Sequence, residues 1–229
     1  MNVQTGVTLP AQVDPTADGV TNRVLLAFPS LDFKMDCMCV KGMLEVLSVA
    51  GGQVRPFWNM GDSNIRHCRN AIAHYFKTKA LDCNRIVWVD SDIDFALQDF
   101  TFLMEGDEDL VVAPYARKAI GMPPVDFGMG FVRMNRCVFE KLDAWLTEDG
   151  SEALHRYYLN GEIAVDYFFD GATPDMRWMG EDTGFFHWCA LLDMSIRQEK
   201  RCRLGHWGRF RYGYPDQTPG LIALESGAQ

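Results

Sequence analysis

Apolar and polar positions along this chain fall into blocks whose lengths and periods suit strands and helices in turn. Val24-Leu25-Leu26-Ala27-Phe28 is a short apolar run stopped by Pro29-Ser30 and reads as a buried strand. Met38, Met43, Leu44, Leu47 and Ala50 then recur at helical spacing until Gly51-Gly52 ends the segment. Val54 to Trp58 reads as a second strand. Asp62 or Ser63 is placed to cap a helix whose apolar face is Ile65, Cys68, Ile72, Tyr75 and Phe76. Ile86-Val87-Trp88-Val89 is apolar on both faces, which predicts a strand in the middle of a sheet, and Leu110 to Ala113 predicts a fourth. Further on, Met129 to Met134 reads as a strand and Arg136 to Trp145 as a helix. Another helix, opening near Glu181, carries Phe185, Trp188, Cys189 and Leu192 on one face, and Leu204 to Gly208 is the last recognisable element.

Strand, helix, strand, helix, strand is the order of a right-handed βαβ layer, so the expected fold class is α/β with a mostly parallel central sheet flanked by helices. In such sheets ligands sit beyond the carboxyl ends of the strands. The third strand runs straight into Asp90-Ser91-Asp92. Residues 1–22 are polar, with Pro10, Pro15 and Gly19, and read as an irregular arm. Residues 23–215 form the expected single domain, and 216–229 a loose tail.

Bulk composition narrows the class without naming a function. A chain of 229 residues with 48% hydrophobic and 23% charged residues has the make-up of a globular protein with one full core. No apolar run approaches the roughly 18–20 residues of a membrane span, and no secretory leader opens the sequence, so a cytoplasmic protein without a transmembrane segment is expected. The seven cysteines are odd in number and never spaced CxxC, which predicts reduced, mostly buried thiols. The net charge of -9 argues against a surface coated for nucleic acid. Locally the sign reverses: Arg197, Lys200, Arg201, Arg203, Arg209 and Arg211 face a single acid, Glu199. Phe210, Tyr212 and Tyr214 are interleaved with them. That mixture suits a diphosphate, a single-stranded nucleic acid with rings stacked on bases, or a solvated basic edge.

Asp90 and Asp92, one residue apart just past a strand, should turn their oxygens to one side by strand alternation and suit a hard divalent cation. The competing reading is a pair of solvated turn aspartates. An EF-hand is excluded, because Phe95 replaces its glycine and Thr101 its bidentate glutamate. There is no GxxxxGK[ST], GxGxxG or GxSxG, so a bound diphosphate would draw its counter-charge from a metal and cationic side chains.

The string Gly61-Asp62-Ser63-Asn64-Ile65-Arg66-His67-Cys68-Arg69-Asn70, followed by the apolar strand and Asp90-Ser91-Asp92-Ile93-Asp94-Phe95, resembles small glycosyltransferases of the Rossmann-like GT-A fold, especially compact viral and bacterial members. Gly128-Met129-Gly130-Phe131 with Asn135-Arg136-Cys137-Val138-Phe139 is similar to their acceptor-side strand and helix, Gly180-Glu181-Asp182 to their acidic pair, and His206-Trp207-Gly208 to their late histidine. The match spans residues 23–215 in the family's order. It implies a nucleotide-sugar donor, UDP-linked by preference, and Mn2+ or Mg2+ ligated directly by Asp92, with His206 as a further ligand and Asp90 on the donor's ribose or on the metal through water. Imidazole would favour Mn2+. Phe28, Pro29, Ser30 and Ser91 would border the donor. Arg66 and Arg69, three apart on one helix, could converge on its base or phosphate, or could line a solvated face with Lys77. With inversion Asp182 would be the base that takes the acceptor's proton, and with retention it would only position the acceptor; Glu181, Gly128, Met129 and Gly130 would lie on the acceptor side. Acids in the first turn of a helix are also favoured by its dipole alone, and His206 could simply pack beside Trp207.

The acceptor hydroxyl stays open between a glycan and a hydroxymethylated pyrimidine of DNA, the latter by likeness to compact phage enzymes. Two other classes compete. A nucleotidyltransferase that makes nucleotide sugars would use the same acids and metal, but no Gly-rich basic loop follows the first strand. A non-catalytic nucleotide-sugar-binding module would need a degenerate site, whereas Asp90, Asp92, Asp182 and His206 are all present.

Overall fold

The first strand, β1 (Arg23–Ser30), is buried at every position after Arg23, so both of its faces must be covered by packed layers. A computed structural model provides those layers; it describes residues 23–118, 124–148, 155–172, 178–208 and 211–212. The arm 1–22 and the tail 216–229 lie outside the described residues, as do Arg209, Phe210 and Tyr214. In chain order come α1 (Cys37–Ala50), β2 (Val54–Met60), α2 (Ile65–Thr78), β3 (Cys83–Val89), β4 (Ile93–Asp94), α3 (Leu97–Met104) and β5 (Leu110–Val112). They are followed by β6 (Phe131–Asn135), α4 (Cys137–Glu148), β7 (Arg156–Leu159), β8 (Glu162–Val165), β9 (Gly171–Ala172), β10 (Trp178–Met179), α5 (Glu181–Leu191), β11 (Ile196–Gln198), β12 (Gly205–Trp207) and β13 (Arg211–Tyr212).

Six strands form the central sheet in the order β11-β5-β6-β3-β1-β2. β1 lies parallel between β2 and β3, and β11 lies parallel to β5. β6 runs antiparallel between β3 and β5, so it alone reverses direction in this sheet. Alternate residues of each strand feed opposite cores, as the period of two requires. Leu25, Ala27, Ile86, Trp88 and Val112 join the cluster under α2, α4 and α5. Leu26, Phe28, Val87, Val89 and Val111 join the cluster under α1 and α3. The expected α/β class, the mostly parallel sheet and the central place of β3 are all present.

Several boundaries differ from the sequence reading for identifiable reasons. Pro29-Ser30 does not stop β1. Pairing with β3 ends at Ala27↔Trp88, so Pro29 is bonded only towards β2 and its missing N–H breaks no ladder on the other side. The cap of α2 is Asn64, whose side chain accepts from Arg66 N at 2.9 Å, rather than Asp62 or Ser63. Asp62 instead accepts from Asn64 N at 3.1 Å, a local turn that delivers the cap. Asp36 caps α1 through Met38 N at 2.8 Å. All seven cysteines are free; Cys37 is exposed, Cys137 half-buried and the rest buried. Among the described residues no helix is long and apolar enough to cross a membrane.

Candidate functional site

The turn after β3 is held by main-chain bonds from three directions. Asp90 N–H donates to Gly130 C=O at 3.0 Å, Asp36 N–H to Ser91 C=O at 2.8 Å, and Trp207 N–H to Asp92 C=O at 2.8 Å. Ile93 N–H closes the turn on Asp90 C=O at 3.0 Å. Strand alternation therefore does not govern Asp90 and Asp92, because they sit in a turn, and their carboxylates take different partners.

Asp90 faces inward. Arg69, only 4% exposed at its side chain, donates from Nη2 to both Asp90 oxygens at 3.0 and 3.2 Å and from Nη1 to Glu181. A buried guanidinium needs such partners. Burial pulls its ionisation down, but Asp90 and Glu181 outweigh that and keep it raised. Asp92 faces outward to His206, Nε2 to Oδ1 3.3 Å, and to the ammonium of Lys118. Burial would raise the Asp92 carboxyl, yet the His206 and Lys118 contacts hold it below its ordinary value.

His206 reaches Asp92 because β12 pairs antiparallel with β4, Gly205↔Asp94 and His206↔Ile93. Its Nδ1 faces the Ala116 carbonyl at 2.9 Å. A carbonyl only accepts, so Nδ1 carries a proton and Nε2 is the atom turned to the carboxylate. The donor set, one carboxylate oxygen and one imidazole nitrogen with its other nitrogen anchored on a carbonyl, fits a divalent transition metal. Among the described residues no three His, Cys, Asp or Glu side chains stand together as a complete ligand set. The structure brings Asp92 and His206 together and turns Asp90 to Arg69.

Tyr115, which the sequence reading passed over, fills the centre. Its ring meets the His206 ring edge to face at 5.2 Å. Burial, then Asp90 and Asp182, pushes its phenol up. Gly128 and Gly130 are small because of it: an added Cβ would lie 2.5 Å from the Tyr115 hydroxyl oxygen or 2.7 Å from its Cε1. Those two glycines thus shape the site from behind, while Met129 is fully buried in the core and offers no side chain to an acceptor. Asp182, half-buried in the first turn of α5, accepts from its neighbour Thr183 N at 2.7 Å. It lies close enough to Tyr115 and Arg69 to bias both electrostatically.

The expected donor-side residues lie at the end of β1 and on α2. Phe28, Pro29 and Ser30 are buried, and the Ser30 hydroxyl folds back on the following loop, donating to Lys34 C=O at 3.0 Å. At this strand end the exposed apolar groups are Leu31, Phe33 and Trp58. Arg66 and Arg69 do not converge on a common ligand. Arg66 is bonded to Asp166, Nε to Oδ1 3.1 Å, and to Asp170. Asn70 beside it bonds Asp166 and accepts from Tyr167 N at 2.8 Å.

Two arginines of the basic C-terminal stretch are paired with acids. Arg197 pairs with Glu108 and Glu199, and Arg201 with Glu105 and Glu199, its guanidinium lying 4.4 Å over the Phe102 ring. Of the interleaved aromatics and arginines beyond Trp207, only the backbones of Arg211 and Tyr212 fall among the described residues.

Strand order, the reversed β6 and the acidic turn after β3 together define a GT-A-like α/β fold, and the resemblance read from the sequence holds at that level. No family model and no curated protein matches the sequence. Among solved structures, A197 from STIV is similar over 88% of this chain and 93% of its own, at 15% identity and a TM-score of 0.52, which shows the shared fold. A glycosyltransferase involved in the glycosylation of the major capsid of PBCV-1 is similar over 78% of this chain and 82% of its own (10% identity, TM-score 0.45). The apo-form glycosyltransferase GlyE of Streptococcus pneumoniae TIGR4 is similar over 77% of this chain and 45% of its own (14% identity, TM-score 0.36). The activities named for those two are their own.

Proposed function

We propose that the chain is a metal-dependent glycosyltransferase that moves a sugar from a nucleoside diphosphate donor, UDP-linked by preference, to an acceptor hydroxyl. The observation that carries this reading is the face-to-face pair of Asp92 and His206 at 3.3 Å, beyond the carboxyl end of a central parallel strand, with the half-buried Asp182 nearby. Asp92 and His206 would hold Mn2+ or Mg2+, which as a Lewis acid would steady the charge developing on the departing diphosphate. Arg69 ties Asp90 to Glu181. Asp182 receives the acceptor's proton as the acceptor oxygen bonds to the anomeric carbon. The bond from that carbon to the phosphate oxygen breaks with its electron pair leaving on the diphosphate. A glycan hydroxyl suits the acceptor side better than a DNA base. The start of α5 carries Asp182 and Glu181, the latter paired with Arg69, the net charge is -9, and two cations of the basic stretch, Arg197 and Arg201, are paired with Glu105, Glu108 and Glu199.

The test is release of nucleoside diphosphate from UDP-, GDP- and TDP-sugars with and without Mn2+. Turnover should require the metal and fall by on the order of 100-fold or more in Asp92→Asn, as expected when a Lewis acid worth several kcal/mol is lost. Turnover indifferent to chelator and to Asp92→Asn would overturn the mechanism. Pyrophosphate release from a nucleoside triphosphate would assign nucleotidyl transfer instead.

A further inference from the structure

The two carboxylates of the acidic turn are each matched by a cation, and the two matches differ in kind. Arg69 is almost wholly buried, with its side chain 4% exposed, and it is shared between Asp90 and Glu181, so it has neither the room nor the reason to leave. Lys118 is 39% exposed and meets an Asp92 that is 36% exposed. An ammonium on a flexible stem, paired at that exposure, exchanges readily, whereas a buried forked guanidinium does not.

Lys118 also arrives on a segment already committed to this site. It lies on the segment after β5 in which Tyr115 meets the His206 ring edge to face, Ala116 anchors His206 Nδ1, and Tyr115 is bridged to Val125 by main-chain bonds of 3.2 and 2.8 Å. The sequence has no phosphate-binding glycine loop, so a metal and cationic side chains would together meet a diphosphate there. Arg66 and Arg69 are committed to Asp166, Asp170, Asp90 and Glu181. A metal ion on Asp92 and the Lys118 ammonium on Asp92 would be like charges competing for one carboxylate.

We propose that Lys118 is the side chain that binds the donor's diphosphate, and that it rests on Asp92 in the metal's place until metal and donor arrive. The inference builds on the donor reading above and names a residue that reading does not include. On metal binding the ammonium leaves Asp92 and turns to the adjacent phosphate oxygens, so one residue opposes the metal alone and supports the nucleotide.

That dual role gives changes of opposite sign. Calorimetric titration of MnCl2 alone, and of UDP at saturating MnCl2, is run on the wild type, Lys118→Gln and Lys118→Arg, each first checked for an unchanged melting temperature. Lys118→Gln should bind Mn2+ about three- to tenfold tighter, because an exchangeable competing cation is gone. It should bind UDP about tenfold weaker, for want of a charge-assisted bond to phosphate. Lys118→Arg should keep UDP affinity near that of the wild type. If Lys118→Gln moves both affinities in the same direction, or neither, the Lys118 proposal is overturned while UDP binding by the wild type leaves the donor reading standing. If the wild type binds Mn2+ but no nucleotide diphosphate, both fall together.

Discussion

A tyrosine ring and two glycines settle much of the site at the level of single residues. Tyr115 lies between the imidazole of His206 and the backbone of Gly128 and Gly130. Gly130→Ala puts a methyl group 2.7 Å from Tyr115 Cε1, well inside van der Waals contact, so the ring must shift off His206. The expected cost is about 1–3 kcal/mol of stability, the usual range for overpacking, read as a lower midpoint in urea unfolding, together with weaker Mn2+ binding. Unchanged unfolding and metal affinity would show that the ring has freedom the packing does not suggest. The glycines stood out in the sequence, but their partner did not. Pro114-Tyr115-Ala116-Arg117-Lys118 has no motif, and only its place after a strand end, where ligands gather, marks it.

Among the elements, α2 does the most to connect the site to the fold. Its buried side carries Arg69 and Asn70 among Cys68, Ile72, Ala73 and Phe76. Those polar groups reach the acidic turn, the start of α5 and residues 166–168. Asp166 accepts from both Arg66 and Asn70. Asp166→Ala leaves both donors without that acceptor and should cost on the order of 1–3 kcal/mol. Proteolysis of the 155–172 region should also speed up, and a resistant variant would argue against the role of this anchor. Helical periodicity located α2 and its apolar stripe correctly. It could not say that the polar residues on the same side were buried, because a solvated face and a paired one look alike in sequence. The hairpin of β7 and β8 was more accessible than the reading made it: Asn160-Gly161, both with positive φ, is the turn that a two-residue hairpin favours.

For the molecule as a whole, the edge of the sheet depends on ionised carboxylates. Glu199, bonded first by Arg201 and then by Arg197, is held down to about 2. Burial pushes Asp109 up, but Lys141, the Ser195 N–H and Cys137 outweigh it and hold it at about 2. Both acids flank β11, which adds to the sheet only through β5. Their folded values lie below their unfolded ones, so the stabilisation is complete above roughly pH 4.5 and is lost as the pH falls towards about 2. The melting temperature should therefore be level near neutrality and drop through that acid window. Glu199→Gln should start lower at neutral pH and show a shallower acid slope; a slope unaltered by the substitution would remove Glu199 from the account. The succession of the early strands and helices, the mostly parallel sheet and the position of the acidic turn could be read from the sequence because they follow from local patterns. The pairing of Asp90 with Arg69 and of Asp92 with Lys118 could not, because it arises only when segments distant in the chain are packed together.

The pairing of β12 with β4 has a consequence for how the protein comes into being. His206 and the Trp207 N–H that braces Asp92 belong to the last strands of the described chain, whereas the acidic turn they complete is made early. A chain emerging from the ribosome can build β1 to β3 and their helices long before this final strand is available, and closing so long a loop is slow. A metal site on Asp92 and His206, as proposed above, would therefore be completed last. A truncated or half-folded product would carry the acidic turn with neither its imidazole nor its brace.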